Sequence, residues 1–482
     1  MKPYLSKSRL ISAWQCAKKL HLEKHHPELA VIASQTESLF ATGNEIGAIA
    51  QRLYGNEKSV EVAYDFKSML AETRRAVARA DAPVFEASFR YEGVLIRADV
   101  MIPEADGWRA VEVKASTSVK DYHVLDCAIQ DWVLRNSGIK VKSISLAHVD
   151  NQFVYRGDGN YDGLLHENDL TDEVRDMERD VIELVAKARD AVTGPMPLVN
   201  VGNHCTQPYE CPFLAYCWPM DAEYPVTGLG GSKAKLAEWV IAGYRDIRDV
   251  ASEDISTELQ QRIHRVTHSG VAEVIPGAKA ILEALPYPRY YLDFETVAPA
   301  VPVWAGTRPY AAVPVQWSCH IEKDHGDLRH EEFLDLSGMP PMRALAEKMI
   351  ACLGSEGPVL MYTSYEKSVI NGLIEMFPDL EVPLQAIIDR LVDLHPIVKA
   401  HYYHPKMLGS WSIKAVLPAM VPEMSYAGLT GINEGTSASD GYLEAIRPET
   451  DAARKAELQA QLLRYCQFDT EAMVEIARFL CR

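Results

Sequence analysis

Three cysteines six residues apart, Cys205, Cys211 and Cys217, lie in a stretch broken by Pro208 and Pro212 and flanked by aromatics. Such a loop is compact enough to bring three thiolates to one point, and Cys16, in Trp14-Gln15-Cys16-Ala17, is the natural fourth. Four thiolates suit zinc or an iron-sulfur cluster. The plainer reading, a lone cysteine as a small buried hydrophobe, fits the isolated Cys127, Cys319, Cys352, Cys466 and Cys481. Nine cysteines, an odd number, argue against a disulfide framework. Residues 1–8 lack the apolar core of a secretion signal, so a reducing cytosol is expected.

Carboxylates mark two further centres. Glu112 and Lys114 are two apart in Trp108-Arg-Ala-Val-Glu-Val-Lys114, a strand pattern that sends both side chains to one face, where a neighbouring strand can bring Asp99. Two carboxylates and the Val113 carbonyl could hold a hard divalent cation, with Lys114 orienting or polarising the attacking water. A same-face ion pair is the bland alternative. Later, Tyr290-Tyr-Leu-Asp293-Phe-Glu295 ends an apolar strand in two carboxylates on one face, which repel unless a cation neutralises them. Glu366 falls in the first turn of a helix after another strand, and Tyr465 and Asp469 stand four apart on the last helix.

The elements that must position these residues follow from periodicity. Helices are expected over 8–24, 37–54, 66–80, 121–136 and 169–192, and strands over 84–91, 94–102, 108–114 and 142–149, the first two turned at Glu92-Gly93. After Val226-Thr-Gly-Leu-Gly-Gly-Ser232 come helices at 233–242 and 256–267. Residues 243–250 between them read as a helical spacer or a small helix-turn-helix. Strands are then expected at 290–296, 313–321, 329–334 and 359–362, and helices at 341–353, 365–377 and 451–480. The class is α/β.

Composition bounds the partners. The 482 residues are 48% hydrophobic and 24% charged, a globular balance for two or three domains. No apolar run reaches the ~20 residues that span a bilayer, so no membrane partner is expected. A net charge of -18 opposes indiscriminate attraction to polyphosphate. The acidity is uneven, because residues 1–147 hold 20 basic and 18 acidic side chains. Arg9, Lys18, Lys19, Lys24, Arg74, Arg75 and Arg79 are either phosphate contacts or solvated helix faces.

On these residues, positions 1 to about 220 resemble the PD-(D/E)xK nucleases of the RecB type, in the iron-sulfur branch that includes the CRISPR-adaptation exonucleases and the AddB nuclease domain. The resemblance implies a [4Fe-4S] cluster, in preference to zinc, on Cys16, Cys205, Cys211 and Cys217, stapling the two ends of the domain. It implies Asp99 and Glu112 as metal ligands, Lys114 as catalytic lysine, and Gln130 as the glutamine of the following helix. Leu134 stands where a tyrosine is often found, the Cys205 to Cys211 gap is longer than usual, and Glu86 is preferred to His21 as an upstream ligand.

Residues 286–482 resemble DnaQ-like exonucleases of the RNase H-like fold in their DEDDy form. Asp293 and Glu295 match the first motif, Tyr465-Cys-Gln-Phe-Asp469 matches the third, and Glu366 takes the place of the aspartate of the second. Asp393 is either an additional active-site carboxylate or a cap for the helix at 396–401. The resemblance as a whole is to bacterial fused nucleases: a first domain at 1–220, a helical linker at 221–285 and a second domain at 286–482. The expected function is a DNA exonuclease using Mg2+ or Mn2+ in repair, recombination or defence. An RNA exonuclease and a binding scaffold with one degenerate site are the alternatives, with a zinc-stabilised scaffold without catalysis behind them. No pattern sets an oligomeric state.

Overall fold

The computed structural model describes residues 5–31, 36–324 and 326–482. The chain is mixed α/β and divides into two compact units, one of residues 1–220 with 300–310, the other of 221–299 with 311–482.

The first unit is built on one sheet of seven strands: β1 (Leu5–Ser6), β2 (Val60–Glu61), β3 (Val84–Tyr91), β4 (Val94–Glu104), β5 (Gly107–Lys114), β6 (Val141–Val149) and β7 (Leu165–Asp169). Strands β2 to β7 lie in sequence order, and β1 adds in parallel to β4. Strands β3, β4 and β5 form an antiparallel meander, while β5 and β6 are parallel. A parallel pair needs a crossover, and the helix Asp121–Asn136 supplies it. This helix is buried without interruption from His123 to Leu134, because the sheet covers one side and the helices Lys7–Gln15 and Glu178–Thr193 cover others. Ile129, Val133 and Leu134 are fully buried, each stabilising the fold by about 1.5–3 kcal/mol relative to exposure.

The register fixes what the sheet presents. Phe85 pairs with Val100 and Ala87 with Ala98, which puts Glu86 opposite Asp99. Val100 pairs with Val111, so Asp99 faces Glu112 on its other side. Glu86 itself has φ +57, a left-handed conformation rarely held by a side chain of this size.

Two expected boundaries differ. The helix expected over 8–24 is two helices, Lys7–Gln15 and Ala17–His25, parted at Cys16, whose backbone is extended at φ -163 and ψ 118. The helix expected over 169–192 begins later: β7 ends at Asp169, a short helix Thr171–Asp176 follows, and the long helix is Glu178–Thr193. Residues 300–310 close the unit: Ala300 and Val301 are buried with Ile46, Ile49, Val149 and Leu164. The Tyr155 N–H donates to Thr307 O at 3.1 Å and the Gly306 N–H donates to Tyr155 O at 2.8 Å.

The second unit holds a five-stranded sheet in the order Leu328–Leu334, Val313–Glu322, Arg289–Val297, Val359–Met361, Leu391–Asp393. The first three are antiparallel and the last two join in parallel. The 29-residue helix Ala452–Leu480 lies across it. Residues 221–285, expected as a linker, are packed into this unit. Leu236, Trp239, Ile263, Val266 and Leu282 are buried, and Glu273–Val274 pairs with Tyr402–Tyr403. The apolar stripes of these helices need a core to cover them, which a free linker lacks.

Candidate functional site

In the first unit, Glu112 is 3% exposed. Its Oε1 accepts from Lys114 Nζ at 2.5 Å and Lys7 Nζ at 2.7 Å, and its Oε2 accepts from the Gln130 amide. Asp126 Oδ2 accepts from Lys114 at 2.6 Å and lies 3.4 Å from Lys7. Asp99 Oδ2 accepts from the Val113 N–H at 2.8 Å. Burial, then the Glu112 carboxylate, pushes Asp99 up to about 8. Burial acts on Glu112 in the same sense, but the ammoniums of Lys114 and Lys7 outweigh it and hold that carboxyl well below its usual range. Negative charge therefore concentrates on Glu112.

Asp99 and Lys114 line a cavity of about 550 Å3 together with Glu61, Glu86, Gly43 and Gly47. Glu86, raised by burial, pairs with Arg97 at 2.9 Å on this cavity wall. His21 is instead spent on the backbone, its Nδ1 2.8 Å from Ala191 O. Leu134 is buried in the core. Asp126 and Lys7 escaped the sequence reading. Asp126 lies one helical turn before Gln130 and so shares its face, a signal that was there to use. Lys7 is 105 residues from Glu112 and arrives through the pairing of β1 with β4, which no local pattern announces.

The four cysteines line one small pocket, with Lys18, Lys19 and His204 beside them. The Gln15 amide ties the Cys16 turn to the loop, donating to His204 O at 2.8 Å and Tyr209 O at 2.7 Å. Within the loop the Cys211 N–H donates to Cys205 O at 2.9 Å. Burial pushes the Cys211 thiol up to about 11 and raises that of Cys217, and the other sulfurs add to both shifts. A bound cation would offset that cost.

In the second unit Asp293 and Glu295 come from the central strand, Tyr465 and Asp469 from the long helix, and Glu366 from the first turn of Tyr365–Met376. Glu295, Glu366 and Asp469 are buried. Asp293 Oδ2 lies 3.6 Å from Cys466 Sγ, and Asp293, Glu295 and Cys466 offer ligand atoms within 4.8 Å of one another. Burial, then repulsion by Asp469, drives Asp293 and Glu295 well above the usual carboxylate range. Burial raises Glu366 to about 8 and Asp469 to about 6. Among the described residues Glu366 Oε2 has no hydrogen-bond partner. Four such carboxyls fit a site made for cations.

Three neighbours here were not anticipated, the first being Cys466, expected as an isolated buried thiol and found beside Asp293. Tyr426 donates to Asp469 Oδ1, and Lys414 Nζ stands 5.2 Å from the Tyr426 ring centre and 5.5 Å from that of Tyr465. Asp393 acts as a cap: its Oδ1 accepts from the His395 N–H at 2.8 Å, opening the helix Leu394–His401, and from the Thr363 N–H at 3.0 Å.

The family described as "Domain of unknown function (DUF2779)" matches residues 290–412, a stretch that holds Asp293, Glu295 and Glu366 and ends before Tyr426 and Asp469. The "Uncharacterized protein MG366 homolog" of Mycoplasma pneumoniae is 25% identical over 291 residues, 51% of this chain and 43% of the relative. The chain thus spans under half of that relative's length. The crystal structure of SSO0001 aligns over 38% of this chain and 77% of its own at 14% identity, with a TM-score of 0.21. Among the described residues no helix is long and apolar enough to cross a membrane.

Proposed function

We propose that this protein is a metal-dependent nuclease with two phosphodiesterase sites, a RecB-like PD-(D/E)xK site in the first unit and a DnaQ-like DEDDy site in the second, acting on DNA. The observation that carries the proposal is the assembly, in each unit, of buried and half-buried carboxylates from separate segments beside a group suited to handling water. These are Asp99 and Glu112 with Lys114, and Asp293, Glu295, Glu366 and Asp469 with Tyr465.

The carboxylates of both sites are hard oxygen donors suited to Mg2+ or Mn2+, and in the second unit the Cys466 thiol stands beside them. The unpartnered Oε2 of Glu366 supports that fit in the second unit. A bound ion would supply an acidified water and neutralise charge on the leaving oxygen. Asp99 and Glu112 would hold it in the first site, while Gln130 fixes the Glu112 carboxylate. Lys114, kept charged by Asp126 and Glu112, would orient the attacking water. In the second site Tyr465 would take that role, and Tyr426 would hold Asp469 in place.

The cysteine pocket suits a [4Fe-4S] cluster with a structural role. Four thiolates from residue 16 and from 205–217 line one pocket, and a cluster held there would tie the two segments together.

The test is degradation of end-labelled single-stranded DNA, duplex DNA and RNA by anaerobically purified protein with Mg2+ or Mn2+, alongside Glu112→Ala, Asp293→Ala and the double variant. Each single change is expected to remove one substrate or polarity, and the double variant to be inert. Equal behaviour of the wild type and the double variant on every substrate would overturn the proposal, and a preference for RNA would move the substrate to the 2'-hydroxyl class.

A further inference from the structure

Two ammoniums converge on one oxygen in the first unit. Glu112 Oε1 is bonded by both Lys7 and Lys114, which fills both of its lone pairs. Lys7 feels Asp126, Glu112 and Asp99 together, so it stands among the carboxylates where a divalent ion would be held. The two lysines differ in how firmly they are kept. Lys114 is on β5, two residues from Glu112, and bonds Asp126 at 2.6 Å. Lys7 comes from another segment, in the first turn of its helix, and its distance to Asp126 is 3.4 Å. Exposure does not separate them, at 17% for the Lys7 side chain and 26% for that of Lys114; the longer contact to Asp126 does.

A divalent ion shared by Asp99 and Glu112 meets two positive charges at Glu112. The ion and the two ammoniums repel one another, and Lys7 is the lysine with the longer contact to Asp126. A lysine ammonium is a compact point charge on a flexible stem, well suited to moving from a carboxylate to a phosphate oxygen. We propose that Lys7 is the resident counter-ion of the first site: it neutralises Glu112 until a divalent ion arrives, then yields the oxygen and transfers its ammonium to a phosphate of the bound strand. This rests on the nuclease reading of that site. Lys7 is then a positioning residue that couples metal to substrate. Metal displaces Lys7 toward the phosphate, a bound phosphate draws Lys7 off Glu112, and each ligand strengthens the other by the same factor.

The test is Mn2+ binding, read by loss of the free-ion EPR signal, to the full chain carrying Asp293→Asn and Asp469→Asn so that the second site is disabled. Titrations are run with and without a phosphorothioate-linked thymidine pentamer. In this parent the pentamer is expected to tighten Mn2+ by about tenfold. Lys7→Met should bind Mn2+ about tenfold tighter without the pentamer and gain nothing from it. Lys7→Arg, which keeps the charge and grips the carboxylate with two donors, should bind no tighter than the parent.

Lys7→Met titrating like the parent in both conditions would overturn the proposal. If Lys7→Met does not fold, Lys7→Arg decides, since affinity above the parent overturns it as well. Glu112→Ala in the same background separates the two failures. Unchanged Mn2+ binding there would remove the ion from Glu112 and take the nuclease reading of this site with it. Loss of the ion in Glu112→Ala, with Lys7→Met unchanged, would overturn the role of Lys7 alone.

Discussion

Tyr426 donates its phenolic hydrogen to Oδ1 of Asp469, a residue 43 positions away on the long helix. The bond helps offset what burial does to that carboxyl. Tyr426→Phe keeps the ring, which packs edge-on against Phe468 with centroids 4.8 Å apart, and removes only the donor. Assayed in a Glu112→Ala background, so that the second site alone is read, the variant should lose about ten- to a hundredfold in kcat and need more Mn2+ for half-maximal rate. Unchanged kcat and metal dependence would show that the bond only packs the helix.

The buried carboxyls also set a pH dependence of stability. Asp99 and Glu366 are raised to about 8 by burial, from about 4 in the unfolded chain. Between those values the folded protein holds more protons than the unfolded one, so metal-free stability falls as pH rises. His123 and His320, lowered to about 4 by burial, act in the opposite sense below about 6.5. The clean window is therefore pH 6.5 to 8. With EDTA the melting temperature should drop across it, and saturating Mg2+ should flatten the drop. A flat EDTA curve would mean that these carboxyls are not protonated in the folded apoprotein.

Single replacement of Cys16, Cys205, Cys211 or Cys217 by alanine should strip iron and the visible absorption that accompanies it. The melting temperature should fall by more than about 5 °C, because a bound centre contributes directly to folding. Cys481, in the last residues of the second unit, is the control and should keep both. Full iron and unchanged melting in all four variants would remove the cluster from this pocket.

Glycines of the two units should respond oppositely to alanine. Among the described residues, a Cβ at Gly43 or Gly47 in the helix Thr36–Tyr54 meets nothing within 4 Å. Each replacement should therefore stabilise by about 0.5–1 kcal/mol. Gly409 has φ +79, and its Cβ would fall 1.8 Å from Gly228 O. Gly409→Ala should cost at least about 1 kcal/mol. Urea unfolding followed by circular dichroism reads both signs.

What the chain discloses on reading depends on how far apart the cooperating residues lie. Glu112, Lys114 and Gln130 sit on one strand and the helix after it, so spacing alone brings them together, and a meander supplies Asp99. Asp293 and Glu295, or Tyr465 and Asp469, share a face within a few residues. Lys7, Lys414 and Tyr426 carry no such mark, because each reaches its site through tertiary pairing or from a stretch with no motif. The break at Cys16 was hidden for another reason: Ala17, Lys18 and Lys19 are good helix formers on either reading, and the extended backbone at one residue leaves no trace in periodicity. The positive φ of Glu86 is equally silent, since glutamate has no preference for that region. For residues 221–285 the stripe was visible, and what it packed against was not.

The short passage of residues 300–310 has a bearing on heredity. Eleven residues that complete the first unit are encoded inside the second, between two of its adjacent strands. A recombination crossover at codon 220 would deliver a first unit with Ile46, Ile49, Val149 and Leu164 uncovered, and a second unit trailing a piece foreign to it. A cut at that codon therefore does not yield two self-sufficient pieces.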